Sequence, residues 1–248
     1  MTEINQYGLR RYIPADIARQ VRQECGFGCV ICGLAIAQYE HIDPPFAEAK
    51  MHDPEHIALL CAACHDRITR GFWSKQRVAE ARKSPITFKR GCSKDAFEIA
   101  APFTVQVGSN YFSEVRSIIR RGDGETWFSI DEPEEEGGPL RVSATFFDRE
   151  GVPSLVIADN EWRCRANVWD LTVEGRVIEI RQAKSALGLR LRTTPPSVLA
   201  IERLRMRHKD IGFEIDSDGR AILEYGDATR VEMESNRSLG ADAVYTLP

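Results

Sequence analysis

Four cysteines fall into two Cys-x-x-Cys pairs, Cys29 with Cys32 and Cys61 with Cys64. A turn of this kind presents two thiolates to one ion, and two such turns complete the tetrahedral four-sulfur site that is typical of structural zinc. A zinc ion with four protein ligands has no open position for a substrate. The spacing therefore predicts a structural zinc site, and a redox dithiol or a chance spacing is the alternative.

An acidic residue and a histidine stand together at Glu40 and His41, between the two cysteine pairs, and His65 directly follows the second pair. Because four thiolates saturate a zinc ion, these side chains are available for a second task. A carboxylate and an imidazole can hold a hard divalent ion, and a neutral imidazole can activate water. Hydrolysis of a phosphodiester needs such a base together with positive charge on the phosphate oxygens. The alternative is a plain zinc-knuckle domain that carries these residues on its surface.

The run Tyr39-Glu-His-Ile-Asp-Pro44, followed by Asp53-Pro-Glu-His-Ile-Ala-Leu-Leu-Cys-Ala-Ala-Cys-His65, resembles the HNH, or ββα-metal, endonucleases in their four-cysteine zinc form. The resemblance covers residues 10–83 of the 248-residue chain. Its motifs are a cysteine pair, an acidic-His pair and a final Leu-Leu-Cys-x-x-Cys-His run. As a set they are more specific than any one of them alone.

The resemblance implies a role for each of four residues. His41 would be the general base, and Glu40 and His65 would bind the catalytic divalent ion, Mg²⁺ or Mn²⁺. His56 takes the place that asparagine usually holds, where the side chain braces the loop that aims the base. An imidazole can donate and accept hydrogen bonds, so a bracing role is expected for His56. An added metal contact and a weakened site are the alternatives.

Basic residues follow the second cysteine pair, and we expect Arg67, Arg70 and Lys75 to contact nucleic-acid phosphates. The whole chain has a net charge of −4, which argues against a protein that coats nucleic acid by bulk charge. Residues 1–94, however, hold 14 Lys and Arg against 10 Asp and Glu, and the rest of the chain holds 19 against 27. The basic excess thus lies in the segment that carries the cysteines.

Short elements must position these residues. The pattern predicts a helix over 14–24, a strand over 34–42, a polar loop over 46–54, a helix-like run from Glu55 to His65, and a helix over 73–83. His52 lies in the polar loop and is expected to be a solvated histidine.

From about residue 96 the chain alternates apolar and polar residues in short segments that Gly, Asp and Asn separate. This pattern of short alternating segments predicts an all-β region, which would be a sandwich or a solenoid. The fold class is therefore α+β, with a small zinc-stapled ββα-metal domain over 1–90 and a β-rich domain over 96–248. A role in specificity, regulation or homo-oligomerisation is expected for the β-rich domain.

The sequence as a whole predicts a metal-dependent endonuclease that hydrolyses DNA, with RNA not excluded as a substrate. A non-catalytic zinc-knuckle module that binds nucleic acid or protein is the alternative. A further reading makes the β-rich domain a sensor that gates the nuclease. No apolar run approaches the length of about 18 residues that spans a bilayer, and the start carries no signal-peptide pattern, so no membrane partner and a cytoplasmic location are expected.

Overall fold

The computed structural model describes residues 4–121, 124–226 and 229–247. The chain is mixed α+β and mostly β, with 43% strand and 15% helix. It divides into a first unit, Met1–Asp95 with Arg165–Asp170, and a second unit, Ala96–Cys164 with Leu171–Pro248. The sequence did not indicate that the segment Arg165–Asp170 belongs with the N-terminal region. No helix within the described ranges is long and apolar enough to cross a membrane.

Four helices and a two-stranded hairpin are the main regular elements in the described part of the first unit. Its elements are α1 (Ala15–Glu24), β1 (Gln38–His41), a 3₁₀ turn (Pro54–His56), β2 (Ile57–Leu60), α2 (Ala62–Thr69), α3 (Lys75–Lys83), α4 (Ile86–Arg90) and β3 (Cys92–Ala96). The predicted helices near residues 14–24 and 73–83 are thus confirmed, with small shifts at their starts.

The segment that precedes the second cysteine pair is a strand, so the prediction of a helix-like run from Glu55 was wrong. Strand β2 pairs antiparallel with β1, with His41 opposite Ile57 and Gln38 opposite Leu60. All four residues of β2 are buried, so its side chains show no apolar-polar alternation. Periodicity alone does not distinguish a fully buried strand from a buried helix. The helix begins only at Ala62, after Cys61.

The core of the first unit surrounds the cysteines, because apolar side chains from α1, the hairpin, α2 and α3 pack together there. Its buried members include Val21, Cys25, Cys29, Val30, Ile42, Ile57, Leu60, Cys61, Cys64, Ile68 and Val78. The cysteine pairs are therefore fixed in the centre of the unit rather than on flexible surface turns.

Helix α1 ends against α4 at a position that only glycine fits. Gly26 has a φ of 61°, and a Cβ at this residue would lie 2.4 Å from the Thr87 hydroxyl oxygen. Thr87 is fully buried and donates a hydrogen bond to the Cys25 carbonyl at 2.7 Å, so it has no room to move.

We expect Gly26→Ala to lower the free energy of unfolding by about 3 kcal/mol, the combined cost of a left-handed residue and an overpacked contact. Chemical denaturation of the metal-loaded protein measures this change. Gly71→Ala is the matched control, because Gly71 has a φ of 76° but nothing within 4 Å of the added Cβ. An equal loss in the two variants would show that the contact with Thr87 carries no cost.

The segment Arg165–Asp170 is held on α1 by polar contacts. The Arg22 guanidinium binds both carboxylate oxygens of Asp170, with N–O distances of 2.9 and 2.7 Å. Gln23 donates to the Trp169 carbonyl at 2.6 Å. Arg22 also donates to the Tyr39 hydroxyl on β1 at 2.7 Å. The Asp170 side chain is only 7% exposed, so this bidentate pair is a buried link between the segment, α1 and the hairpin.

Strands make up most of the described part of the second unit. They are β4 (Thr104–Val107), β5 (Asn110–Ser113), β6 (Ser117–Arg121), β7 (Thr126–Asp131), β8 (Arg141–Phe147), β9 (Pro153–Ala158), β10 (Glu161–Arg165), β11 (Asp170–Glu174), β12 (Val177–Ala183), β13 (Ala186–Thr194), β14 (Val198–His208), β15 (Ile211–Ile215), β16 (Ala221–Tyr225), β17 (Thr229–Met233), β18 (Arg237–Leu239) and β19 (Tyr245–Leu247).

These strands form two sheets. One has the order β19-β6-β7-β8-β9-β10, and the other runs from β11 to β17 in sequence order, with β4 beside β14 and β5 between β4 and β18. Aromatic side chains join the sheets: the Tyr245 ring lies 6.0 Å from Phe112 and 6.1 Å from Phe213. Trp127 and His208 make a further contact, with ring centroids 5.5 Å apart. The buried faces of the two sheets therefore meet through large side chains.

Candidate functional site

The four predicted zinc ligands lie together. The sulfur atoms of Cys29, Cys32, Cys61 and Cys64 are all within 4.8 Å of one another, and the Cys32 and Cys61 sulfurs are 3.5 Å apart. A tetrahedral zinc ion with Zn–S bonds of about 2.3 Å holds its sulfurs about 3.8 Å apart. The cluster thus fits a structural metal such as zinc, and it is the one group of three or more candidate ligands within the described ranges.

Local backbone geometry positions each cysteine pair. The first pair lies on a turn that the Gly33 amide closes on the Cys29 carbonyl at 2.8 Å. Cys61 directly precedes α2 and Cys64 lies in its first turn, so the start of the helix sets the spacing of the second pair. A hydrogen bond from Cys32 lowers the pKa of the Cys29 thiol to about 5, and the same bond raises the pKa of Cys32.

A carboxylate–imidazole pair lies beside this cluster. Glu40 on β1 and His65 on α2 approach with 3.1 Å between Oε2 and Nε2. Adjacent ligands of an octahedral ion with bonds of about 2.1 Å lie about 3 Å apart. The two groups are at hydrogen-bond distance, which is also short enough for both of them to bind one divalent ion.

Lys75 is placed differently from its predicted contact with nucleic acid. Its ammonium lies 2.6 Å from the second carboxylate oxygen of Glu40 and donates to the His41 carbonyl at 2.5 Å. The side chain is 39% exposed, so the ammonium is still partly hydrated. A positive charge thus already occupies one side of the carboxylate that is the candidate metal ligand.

We expect Lys75→Met to tighten the binding of Mn²⁺ at least about tenfold, because it removes a cation close to the ion and frees Glu40 from its ion pair. Titration of the zinc-loaded chain followed by electron paramagnetic resonance measures the dissociation constant. Lys83→Met is the matched control, since Lys83 is an exposed lysine at the other end of α3. Unchanged or weaker binding in the Lys75 variant would contradict competition between the ammonium and the ion.

The candidate base, His41, is buried at the end of β1, with 9% of its surface exposed. Burial, and next the neighbouring ring of His52, lower the pKa of His41 to about 4. The imidazole is therefore neutral near pH 7, which is the form that accepts a proton. Its ring also lies 5.4 Å from Phe46, so one side of the imidazole is closed to water.

His52 is not a solvated histidine, and that prediction was wrong. Its side chain is buried, with 6% exposed. Its Nδ1 lies 3.1 Å from Nε2 of His41, and its Nε2 lies 2.9 Å from the Arg10 carbonyl oxygen. The sequence did not indicate these hydrogen bonds of His52, because its partners lie 11 and 42 positions away and one of them is a backbone group.

The segment before α1 holds the loop that carries His52. The Asn5 amide donates to the carbonyls of Phe46 and Ala49, each at 2.7 Å. The Arg11 guanidinium lies 4.4 Å from the centre of the Phe46 ring. Because these contacts come from outside the loop, the shape of the loop does not depend on its own residues alone.

His56 lies in solvent at the end of the 3₁₀ turn. Its carbonyl accepts a hydrogen bond from the Ile42 amide at 2.8 Å, and its own amide donates to the Asp53 carbonyl at 3.0 Å. No hydrogen bond of its side chain is present among the described residues. The backbone of His56 thus ties the loop to the hairpin, and a bracing role for the imidazole stays a prediction.

Aromatic and basic side chains meet on the surface after α2. The guanidinium groups of Arg67 and Arg77 lie 4.9 and 4.3 Å from the centre of the Trp73 ring. Arg70 forms an exposed ion pair with Asp66 at 2.9 Å. Phe72 is 79% exposed. The structure therefore gathers Arg67 and Arg77 around one aromatic ring, while Arg70 has an acidic partner.

Two features of the first unit have residues that could support chemistry: the four-cysteine cluster, and the group formed by Glu40, His65 and His41 beside it. Comparison with known proteins found no matching family model, no matching curated protein and no matching solved structure.

Proposed function

We propose that the first unit is a metal-dependent endonuclease of the HNH, or ββα-metal, type, and that it hydrolyses phosphodiester bonds of DNA. The observation that carries this proposal is the 3.1 Å approach of Glu40 and His65 next to the buried His41. The order of hairpin β1–β2 and helix α2, with a metal-binding cysteine cluster at their junction, also supports it.

Each residue of the group has a defined task in this proposal. Glu40 and His65 hold the divalent ion, Mg²⁺ or Mn²⁺, which supplies positive charge to the phosphate oxygens when it is bound. His41 takes a proton from water, the water oxygen attacks phosphorus, and the bond from phosphorus to the leaving oxygen breaks. Because His41 is neutral and buried, its free nitrogen is ready to accept that proton without first losing one.

The surface of Arg67, Trp73 and Arg77 is the proposed contact with the DNA backbone. Guanidinium groups pair well with phosphate oxygens, and these two are oriented on one ring rather than neutralised by a carboxylate in the described structure. Arg67 lies on α2, two residues after His65.

Cleavage of supercoiled plasmid DNA by the zinc-loaded chain tests the proposal. We expect nicking with Mg²⁺ or Mn²⁺, none with a chelator of these ions, and a loss of about 100-fold or more in Glu40→Gln, which removes the charge of the ligand. Glu55→Gln is the matched control, since Glu55 is an exposed glutamate in the 3₁₀ turn before β2. Cutting that needs no divalent ion, or that survives Glu40→Gln, would overturn the proposed site.

A non-catalytic zinc module that binds nucleic acid is a second candidate, and the Lys75–Glu40 ion pair favours it. A carboxylate that a lysine already neutralises is a poorer ligand for a divalent ion. This candidate predicts DNA binding that is equal in the wild type and in Glu40→Gln, with no cleavage under any divalent ion.

A further inference from the structure

Three groups form a chain of hydrogen bonds that ends at the proposed base. The Arg10 carbonyl oxygen lies 2.9 Å from Nε2 of His52, and Nδ1 of His52 lies 3.1 Å from Nε2 of His41. Both imidazole rings are buried, with 6% and 9% of their surfaces exposed. The chain thus connects the segment before α1, the loop after β1 and the end of β1 itself.

The chemistry of these groups determines where the hydrogens are. A carbonyl oxygen can only accept, so Nε2 of His52 must carry the hydrogen. A neutral imidazole has one N–H, so with the hydrogen on Nε2 the Nδ1 of His52 is an acceptor. Nε2 of His41 must then donate to it. The remaining nitrogen of His41, Nδ1, is therefore the one with a free lone pair.

We propose that His52 is a positioning residue for the hydrolysis: it holds His41 as the Nε2–H tautomer, so that Nδ1 of His41 takes the proton from the attacking water. This inference rests on the proposed function. When Nδ1 takes the proton, the water oxygen forms its bond to phosphorus and the leaving oxygen departs with the electrons of the broken bond. The new positive charge on His41 is then stabilised through His52 by the Arg10 carbonyl dipole.

The surroundings of His52 make this arrangement specific. Asn5 holds the carbonyls of Phe46 and Ala49 in the same loop, and Arg11 covers the Phe46 ring that contacts His41. The His41 ring is thus confined on one side by Phe46 and through Nε2 by His52. A residue at position 52 that cannot accept a hydrogen bond would leave the His41 N–H without a partner in a buried place, which favours the other tautomer or a rotated ring.

The tautomer can be measured without any cleavage. Two-bond proton–nitrogen correlations on the ¹⁵N-labelled, zinc-loaded full chain, free of Mg²⁺ and DNA, distinguish protonated from unprotonated ring nitrogens. We expect His41 to show a protonated Nε2 in the wild type and in His52→Asn, whose amide oxygen can still accept. In His52→Phe we expect this preference to be lost. Met51→Phe, a change at the exposed neighbour of His52, is the control that should leave His41 unchanged.

The kinetic readout separates positioning from simple support of the fold. We expect His52→Phe to lower kcat about 100-fold with KM within about twofold, and His52→Asn to recover most of the loss. Zinc content and circular dichroism of both variants confirm that they fold. Equal losses in the two folded variants, or a protonated Nδ1 on His41 in the wild type, would overturn the role of His52.

The two proposals fail in distinguishable ways. A chain that shows the expected tautomer but never cuts DNA would overturn the proposed function and the positioning role with it. A chain that cuts DNA through His41 but shows the opposite tautomer would overturn the role of His52 alone.

Discussion

Cys29→Ser is expected to abolish zinc binding and to unfold the first unit. Cys29 is buried in the centre of the core, and its sulfur is one of four that converge on one point. A structural zinc ion contributes an apparent free energy of about 10–16 kcal/mol in small zinc domains, and a typical domain is stable by about 5–15 kcal/mol. Loss of the ion is therefore expected to cost about as much free energy as the whole free energy of unfolding of a small unit.

Metal analysis should find one zinc ion per chain in the wild type and none in the variant. Hydrogen exchange resolved by peptide should show that amides of β1, β2 and α2 lose their protection. Cys92→Ser is the matched control, because Cys92 is a half-buried free cysteine outside the cluster and should leave both readouts unchanged. A wild-type chain without zinc, or a variant that keeps it, would contradict the prediction.

The second large effect is expected for His41→Ala, which should reduce the rate of DNA cleavage about 1,000-fold or more. General-base catalysis by a positioned side chain contributes about 10²–10⁴-fold, and no other imidazole of the group is free to replace His41 in this role. His65 is paired with Glu40 and His52 is bonded through both ring nitrogens. Single-turnover cleavage with Mg²⁺ measures the rate constant of the chemical step.

Two controls accompany this variant. Zinc content and DNA affinity should stay within about twofold of the wild type, since His41 is a ligand of neither the zinc cluster nor the proposed phosphate surface. Imidazole added to the buffer should restore part of the rate, because the substitution leaves a space next to Phe46 and His52. Cleavage within tenfold of the wild-type rate would remove His41 as the base.

The cysteine cluster and the pair of Glu40 and His65 could be predicted from the sequence, because the Cys-x-x-Cys spacing and the resemblance to a known motif mark these residues although Glu40 and His65 lie 25 positions apart. Two cysteines three positions apart must share a turn, and His65 must lie next to the zinc ligand that precedes it. Strand β2 was predicted as part of a helix because its four residues are all buried and so show no apolar-polar alternation. Its strand conformation depends on pairing with β1, and local sequence does not indicate that pairing.

The partners of His52 and Lys75 could not be predicted, because each depends on a contact between segments distant in the chain. The acceptor for His52 is a backbone carbonyl, which every residue has and no sequence pattern marks. Lys75 was assigned to phosphate from its charge, but a positive charge does not say which anion it binds. In the folded chain the nearest anion is Glu40, 35 positions earlier.

The second unit shows the same division between local and long-range information. Apolar-polar alternation predicted strands, and strands are present. The pairing of β14 with β4 in parallel, with Val198 opposite Thr104, joins residues almost a hundred positions apart. The pairing of β18 with β5 is a second case, with Arg237 opposite Tyr111. Such pairings depend on which sheet edge is available after the local hairpins have formed.

The ion pair between Arg22 and Asp170 limits where the coding sequence can be cut to express the first unit alone. No continuous stretch shorter than residues 4–170 encodes all the described parts of the first unit, because the last of them, Arg165–Asp170, lies 70 positions beyond Asp95. An expression fragment that stops at residue 95 would keep a buried guanidinium on α1 and discard its carboxylate. Recombination that transferred only the segment with the zinc cluster would also leave Arg22 without Asp170. We therefore expect the two units to be inherited together.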